Sequence, residues 1–158
     1  MRTKLVIAGI VGVVAIAAGY MAFRGDKATV RPGLLLYGDE ATVTAGQTVY
    51  RDYCAACHGT ELQGDPDWRS LGDDGRMRPP PHDIDGHTWH HADAILFEIT
   101  KFGTAAYVGS GYQSNMGGFD GMLSDAQILA TLAYIKSTWP DRTIEIHNDI
   151  NAGLESLN

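Results

Sequence analysis

Hydrophobic and polar positions divide the chain into an apolar head, a polar spacer, and a longer stretch of interrupted helical periodicity. Residues Leu5 to Phe23 form a run of 19 without a charge. As a helix it would measure about 28 Å, close to the ~30 Å hydrocarbon thickness of a bilayer. Arg2 and Lys4 precede it, so residues 1–23 are predicted as a transmembrane signal-anchor. The alternative is a cleavable signal peptide, because Ala15-Ile16-Ala17 offers a small-residue cleavage site. The apolar run continues past that site through Tyr20, Met21 and Phe23, which favours retention. Residues 24–41 mix charges with Pro32-Gly33 and are predicted as a linker. Within it, the apolar group Leu34-Leu35-Leu36-Tyr37 is predicted to dock on the domain that follows.

That domain is predicted over 42–140. Its first helix is expected to start at Thr44, where Thr44 and Gln47 have capping-box spacing. Gly46, Tyr50 and Cys54 are four apart and share a face. Glycine inside a helix costs about 1 kcal/mol relative to alanine, so Gly46 suggests a close crossing with a second helix. The partner is predicted over 124–138, opened by Ser124 and Gln127 and followed by Pro140. Ile128, Leu132 and Ile135 make its apolar stripe, widened by Leu129 and Tyr134. A third helix is expected over about 91–102, through Ile95, Leu96, Ile99 and Phe102, stopping at Gly103. Residues 59–89 are rich in glycine and proline, and 103–123 is a second glycine-rich loop. Loops that long inside a compact domain call for a functional reason. In the tail, 141–158, Ile146, Ile150, Leu154 and Leu157 form a helical stripe expected to pack on the domain.

Charge narrows the partners. From Gly25 onward, 9 Lys/Arg face 19 Asp/Glu, a formal −10. Such a surface repels nucleic acid and favours basic docking patches on a partner. The two cysteines, Cys54 and Cys57, are too few for a disulfide scaffold or a four-cysteine zinc site.

They belong to the one motif that carries chemistry, Cys54-Ala55-Ala56-Cys57-His58. Two cysteines flanking two residues, with histidine next, is the attachment signature of a c-type haem. Positions i, i+3 and i+4 share a side of a helical turn, so one turn can present both thiols and the imidazole to a flat cofactor. His58 would bind the iron from one face. A redox dithiol is the rival reading, and it expects a strand and βαβ context not seen here.

For the second axial ligand the candidate is Met116, mid-loop before Gly117 and Gly118, with Met122 and Met77 as alternatives. Glycines let the backbone approach the ring closely, and a thioether ligand raises the reduction potential. His82, His87, His90 and His91, mixed with Asp83 and Asp85, form another conspicuous cluster. One of them could ligate the haem or several could hold copper or zinc, but the spacing matches no standard site.

With these residues in view, the chain resembles the class I cytochrome c family over residues 41–140. The matching residues are Gly46-x3-Tyr50-x3-Cys54-x2-Cys57-His58-Gly59, Met116-Gly-Gly-Phe119, Leu123-Ser124-Asp125 and Leu132-Ala133-Tyr134-Ile135. GDPDWRS, PPPHDIDGHTWHH and GYQSNMGGF resemble bacterial monohaem cytochromes with an N-terminal membrane segment. The resemblance implies an all-α fold around one covalent haem, with first and last helices crossing beside it. Thr131 stands where the family usually has a larger apolar residue, and Gly117 stands where it usually has proline. The resemblance also implies that a proline carbonyl accepts the Nδ1–H of the axial histidine. Pro79, Pro80 and Pro81 are the candidates, with Pro80 carried forward. Arg69, Arg76, Arg78, Trp68 and Trp89 are candidate partners for the haem propionates, with Arg78 and Trp89 carried forward.

The expected function is outer-sphere, one-electron transfer without transformation of a substrate. The carrier would be held at the membrane by residues 5–23, with its haem domain on the periplasmic face. A fixed haem subunit of a larger membrane oxidoreductase complex is one rival. A haem-based sensor whose sixth position opens to a small ligand is another.

Overall fold

The computed structural model describes residues 35–156, which include all of the candidate site. The predicted anchor at 1–23 and most of the linker lie outside the described residues. None of the described helices is long and apolar enough to cross a membrane.

The described chain is helical, without a strand; its only β features are isolated bridges at Leu71–Met77 and Gly103–Gly117. Helix α1 spans Glu40–Tyr53, and α2 is a single turn, Ala55–His58. A 3₁₀ turn at Thr88–His90 leads to α3, Asp93–Phe102, and the short α4, Thr104–Val108. Helices α5, Asp125–Ser137, and α6, Asp141–Glu155, complete the chain.

Helix α1 starts four residues before Thr44. Asp39 caps it, accepting from the Thr42 N–H at 2.8 Å and the Thr42 hydroxyl at 2.6 Å. Thr44 lies inside the helix, where its carbonyl accepts from the Thr48 hydroxyl. A Thr-x-x-Gln spacing opens a helix only when no better cap precedes it, and Asp39 does. The capping box of α5 forms as expected, with Ser124 and Gln127 each satisfying the other's backbone N–H.

Gly46 explains the crossing of α1 and α5. A Cβ added there would sit 1.9 Å from the Ala130 carbonyl oxygen, so only glycine permits this approach. Thr131, buried at the same crossing, returns its hydroxyl to the Gln127 carbonyl at 2.9 Å and leaves no orphaned donor. Helix α5 is buried on every face from Ile128 to Ala133, not along one stripe as expected. It is the central helix, with α1 and α3 both packed on it.

Inside the predicted linker, Leu35 is buried and donates its N–H to Asp93 Oδ2 at 3.3 Å, while Leu36 stays 60% exposed. Leu35 therefore packs on the domain, as expected of the apolar group. Helix α6 packs on the 3₁₀ turn, but its most deeply buried residues are Thr143 and His147. His147 Nε2 donates to the His91 carbonyl at 2.9 Å and lies 3.4 Å from Asp93 Oδ1. The tail's expected stripe residues Ile146, Ile150 and Leu154 are only half-buried beside it.

Candidate haem-binding site

The motif turn forms where α1 ends. Cys54, at φ −114° and ψ −37°, is the residue shared by the end of α1 and the start of α2, and its carbonyl accepts from the N–H groups of both Cys57 and His58 at 3.1 and 3.0 Å. That single turn puts the two thiols and the imidazole on one side. The cysteines are not joined to each other; Cys54 is half-buried and Cys57 exposed. Burial, and secondarily Cys57, push the Cys54 thiol up to about 11. A dithiol oxidoreductase needs its nucleophilic cysteine shifted the other way, which counts against the redox reading.

His58 is buried, with Nδ1 2.8 Å from the Pro80 carbonyl oxygen. A carbonyl only accepts, so Nδ1 carries the proton and the Nε2 lone pair is free for a metal. Burial lowers the pKa of His58, against the opposing pull of Pro80, and favours the neutral form that ligation requires.

The three prolines are separated by what faces them. None has an N–H to give, and each carbonyl meets a different donor. Pro79 accepts from the Asp65 N–H at 2.9 Å, Pro80 from His58, and Pro81 from the Thr88 hydroxyl at 3.4 Å. Gly64, at φ +61°, allows the loop after His58 to close on them; a Cβ there would lie 2.4 Å from the Pro81 nitrogen. His82 follows directly and stacks on the His58 ring with centroids 4.1 Å apart. Its carbonyl accepts from Trp139 Nε1 at 2.7 Å and its Nδ1 meets the Thr88 hydroxyl at 2.8 Å. Sequence reasoning placed His82 in a possible metal cluster and missed this packing role.

Met116 is half-buried and donates its N–H to Ser114 Oγ at 3.1 Å. The backbone beyond it is tied to the end of α3, with Phe119 and Asp120 donating to the carbonyls of Thr100 and Lys101. Phe119 meets Tyr53 edge to face at 6.3 Å. Since Tyr53 adjoins Cys54, the methionine loop and the attachment turn are side by side.

The remaining histidines stay close together but pack as rings, with His87 and His91 edge to face at 5.4 Å. His87 stacks on Trp68, and His90 stacks on Trp89. Among the described residues no group of three or more His, Cys, Asp or Glu is arranged to hold a metal ion. Trp89 gives its indole N–H to the Ile84 carbonyl at 3.3 Å. Arg78 pairs with Asp65 at 3.4 Å through Nη1, while Arg76 reaches Asn115.

A family model for cytochrome c matches residues 43–139. The chain belongs to the cytochrome c family. No curated protein and no solved structure matches it. A cytochrome c domain carries covalently attached haem c, and Cys54 and Cys57 are the thiols present to hold it.

The residues fit that cofactor. Nε of Arg76 and Nε of Arg78 are buried with no hydrogen-bond partner among the described residues. Such donors suit the carboxylates of haem propionates. Exposed apolar side chains lie on segments tied to the Met116 loop: Leu71 and Met77 on the turn whose Arg76 reaches Asn115, Phe102 against Gly118, and Met122 after Phe119. A porphyrin is a large apolar plate, and this composition suits its faces and edge.

Proposed function

We propose that the protein is a one-electron carrier of a respiratory or related chain, with His58 and Met116 as axial ligands. The observation that carries the reading is His58: its Nδ1 is held by the Pro80 carbonyl at 2.8 Å, beside two free thiols. A bound haem supplies a one-electron Fe(III)/Fe(II) couple there. The chain's own part is to fix the imidazole tautomer, to supply a thioether from Met116, and to exclude water with the apolar segments around it. A thioether favours ferrous iron and so raises the potential. Membership of the cytochrome c family supports the reading of a carrier that passes an electron without transforming a substrate.

The uncharged run Leu5–Phe23 supports anchoring in a membrane, and covalent haem attachment supports a periplasmic position for the domain. Electron donors and acceptors with basic docking surfaces suit the formal −10 carried from Gly25 onward.

The ligand assignment is tested on purified ferric protein. The near-infrared charge-transfer band of a Met–Fe(III) bond is expected in the wild type and lost in Met116→Ala, with a lower potential. A wild-type spectrum in Met116→Ala would rule Met116 out.

A further inference from the structure

Gly117 follows Met116 directly, and nothing lies within 4 Å of where its Cβ would be. The bridge between Gly117 and Gly103 holds the backbone after the methionine, and a second contact is needed on its other side. Asn115, the residue before Met116, supplies that contact. Its Oδ1 accepts from Arg76 Nη1, and its Nδ2 donates to Asp74 Oδ2 at 2.6 Å. A guanidinium only donates and a carboxylate only accepts, so the amide fits in one orientation alone.

Asp74 and Arg76 ride on one closed turn. Asp74 Oδ1 accepts the Arg76 N–H at 3.0 Å, and the Arg76 carbonyl accepts from Gly72 at 2.8 Å. The Leu71–Met77 bridge shuts the turn at its base. Four residues beyond Arg76 the same segment reaches Pro80, whose carbonyl holds His58. Residues 74–80 thus grip the imidazole at one end and the neighbour of Met116 at the other. After Gly117, Gly118 lies so close to Phe102 that a Cβ would approach its carbonyl carbon to 2.5 Å.

We propose that Asp74, Arg76 and Asn115 form a clamp that positions Met116 at the iron, replacing the stiffness a proline would give. The proposal rests on Met116 being the sixth ligand. The clamp ties both axial ligands to one segment, so a displacement of the 71–77 turn loosens the methionine while His58 stays bound.

The test uses the full-length holoprotein and follows the Met–Fe(III) band through an alkaline titration. Both clamp bonds are charge-assisted but solvent-exposed. Asn115→Ala is therefore expected to shift the methionine-off equilibrium about tenfold, lowering the midpoint by about one pH unit. Asp74→Ala should give part of the same shift. The double variant should fall no further than Asn115→Ala, because both remove one shared interaction. Asp74→Ala carries the test if Asn115→Ala yields no holoprotein. Arg142→Ala, which removes an exposed ion pair to Glu145 on α6, should match the wild type. A wild-type midpoint in Asn115→Ala and Asp74→Ala, with the band lost in Met116→Ala, overturns the clamp alone. An equal fall in Arg142→Ala overturns it as well, marking general destabilisation. A band that survives Met116→Ala overturns the ligand reading and the clamp with it.

Discussion

His58 shows how much one side chain inherits from its neighbours. Its place in the chain was readable from five residues, because haem attachment depends on spacing within a single turn. Its second hydrogen bond was not, since three consecutive prolines look alike until the Asp65, His58 and Thr88 donors are seen to take one carbonyl each. His147 was invisible for a similar reason. It lies among Ile146, Ile150 and Leu154, yet it is the fully buried member of α6, facing Asp93, the His91 carbonyl, Lys136 and Trp139. Burial, helped by Lys136, lowers its pKa against the pull of Asp93 and the His91 carbonyl. A histidine with a lowered folded pKa stays neutral in the fold, while the unfolded chain takes up protons near pH 6.5. Its stabilising contribution is then whole above that pH and declines as the solution is acidified below it. Denaturant unfolding of the holoprotein is expected to give a lower midpoint at about pH 5.5 than at about pH 7.5, one unit either side of that value. His147→Gln should be weaker overall but less sensitive to pH; an unchanged pH dependence would show that His147 is not its source.

Among the elements, the α1–α5 crossing was legible because glycine in a helix signals a close neighbour. Gly46 meets the Ala130 backbone, which cannot rotate away as a side chain could. Gly46→Ala must therefore separate the two helices, and overpacking of this kind costs about 1–3 kcal/mol. Thermal unfolding should show a fall of roughly 4–20 °C, and a melting temperature equal to wild type would mean the helices do not meet there. Boundaries were less legible. The Thr44 cap lost to Asp39 because mixed charges and Pro32-Gly33 made 24–41 read as linker, while Leu35 of the apolar group packs on the domain as expected. The stripe on α5 was too narrow a reading, since six successive residues from Ile128 are buried in a helix surrounded by others. Buried Lys136 is accommodated there by Asn148 Oδ1 at 2.7 Å and by the Tyr37 ring at 4.6 Å.

For the molecule as a whole, the cytochrome c family implies redox protein partners, and the proposed attraction of the acidic chain to basic ones can be tested by salt. Electron transfer to a cationic partner protein is expected to slow several-fold as ionic strength rises past the range where the Debye length nears 10 Å. A rate independent of salt would mean that charge does not steer the encounter. The loops hold the least legible part of the molecule. Residues 59–89 and 103–123 have little regular structure to announce them, yet they supply Pro80, Arg76, Asn115 and Met116. Their order comes from contacts across 39 and 41 residues, as between Arg76 or Asp74 and Asn115, which no local pattern encodes. The most direct measurement of electron carriage is a spectroscopic redox titration of the purified protein, repeated under carbon monoxide. A reversible one-electron curve with unchanged spectra under the gas is expected if His58 and Met116 fill both axial positions as proposed. A ferrous form that binds carbon monoxide stoichiometrically at neutral pH would contradict it, and would assign the site to small-ligand binding.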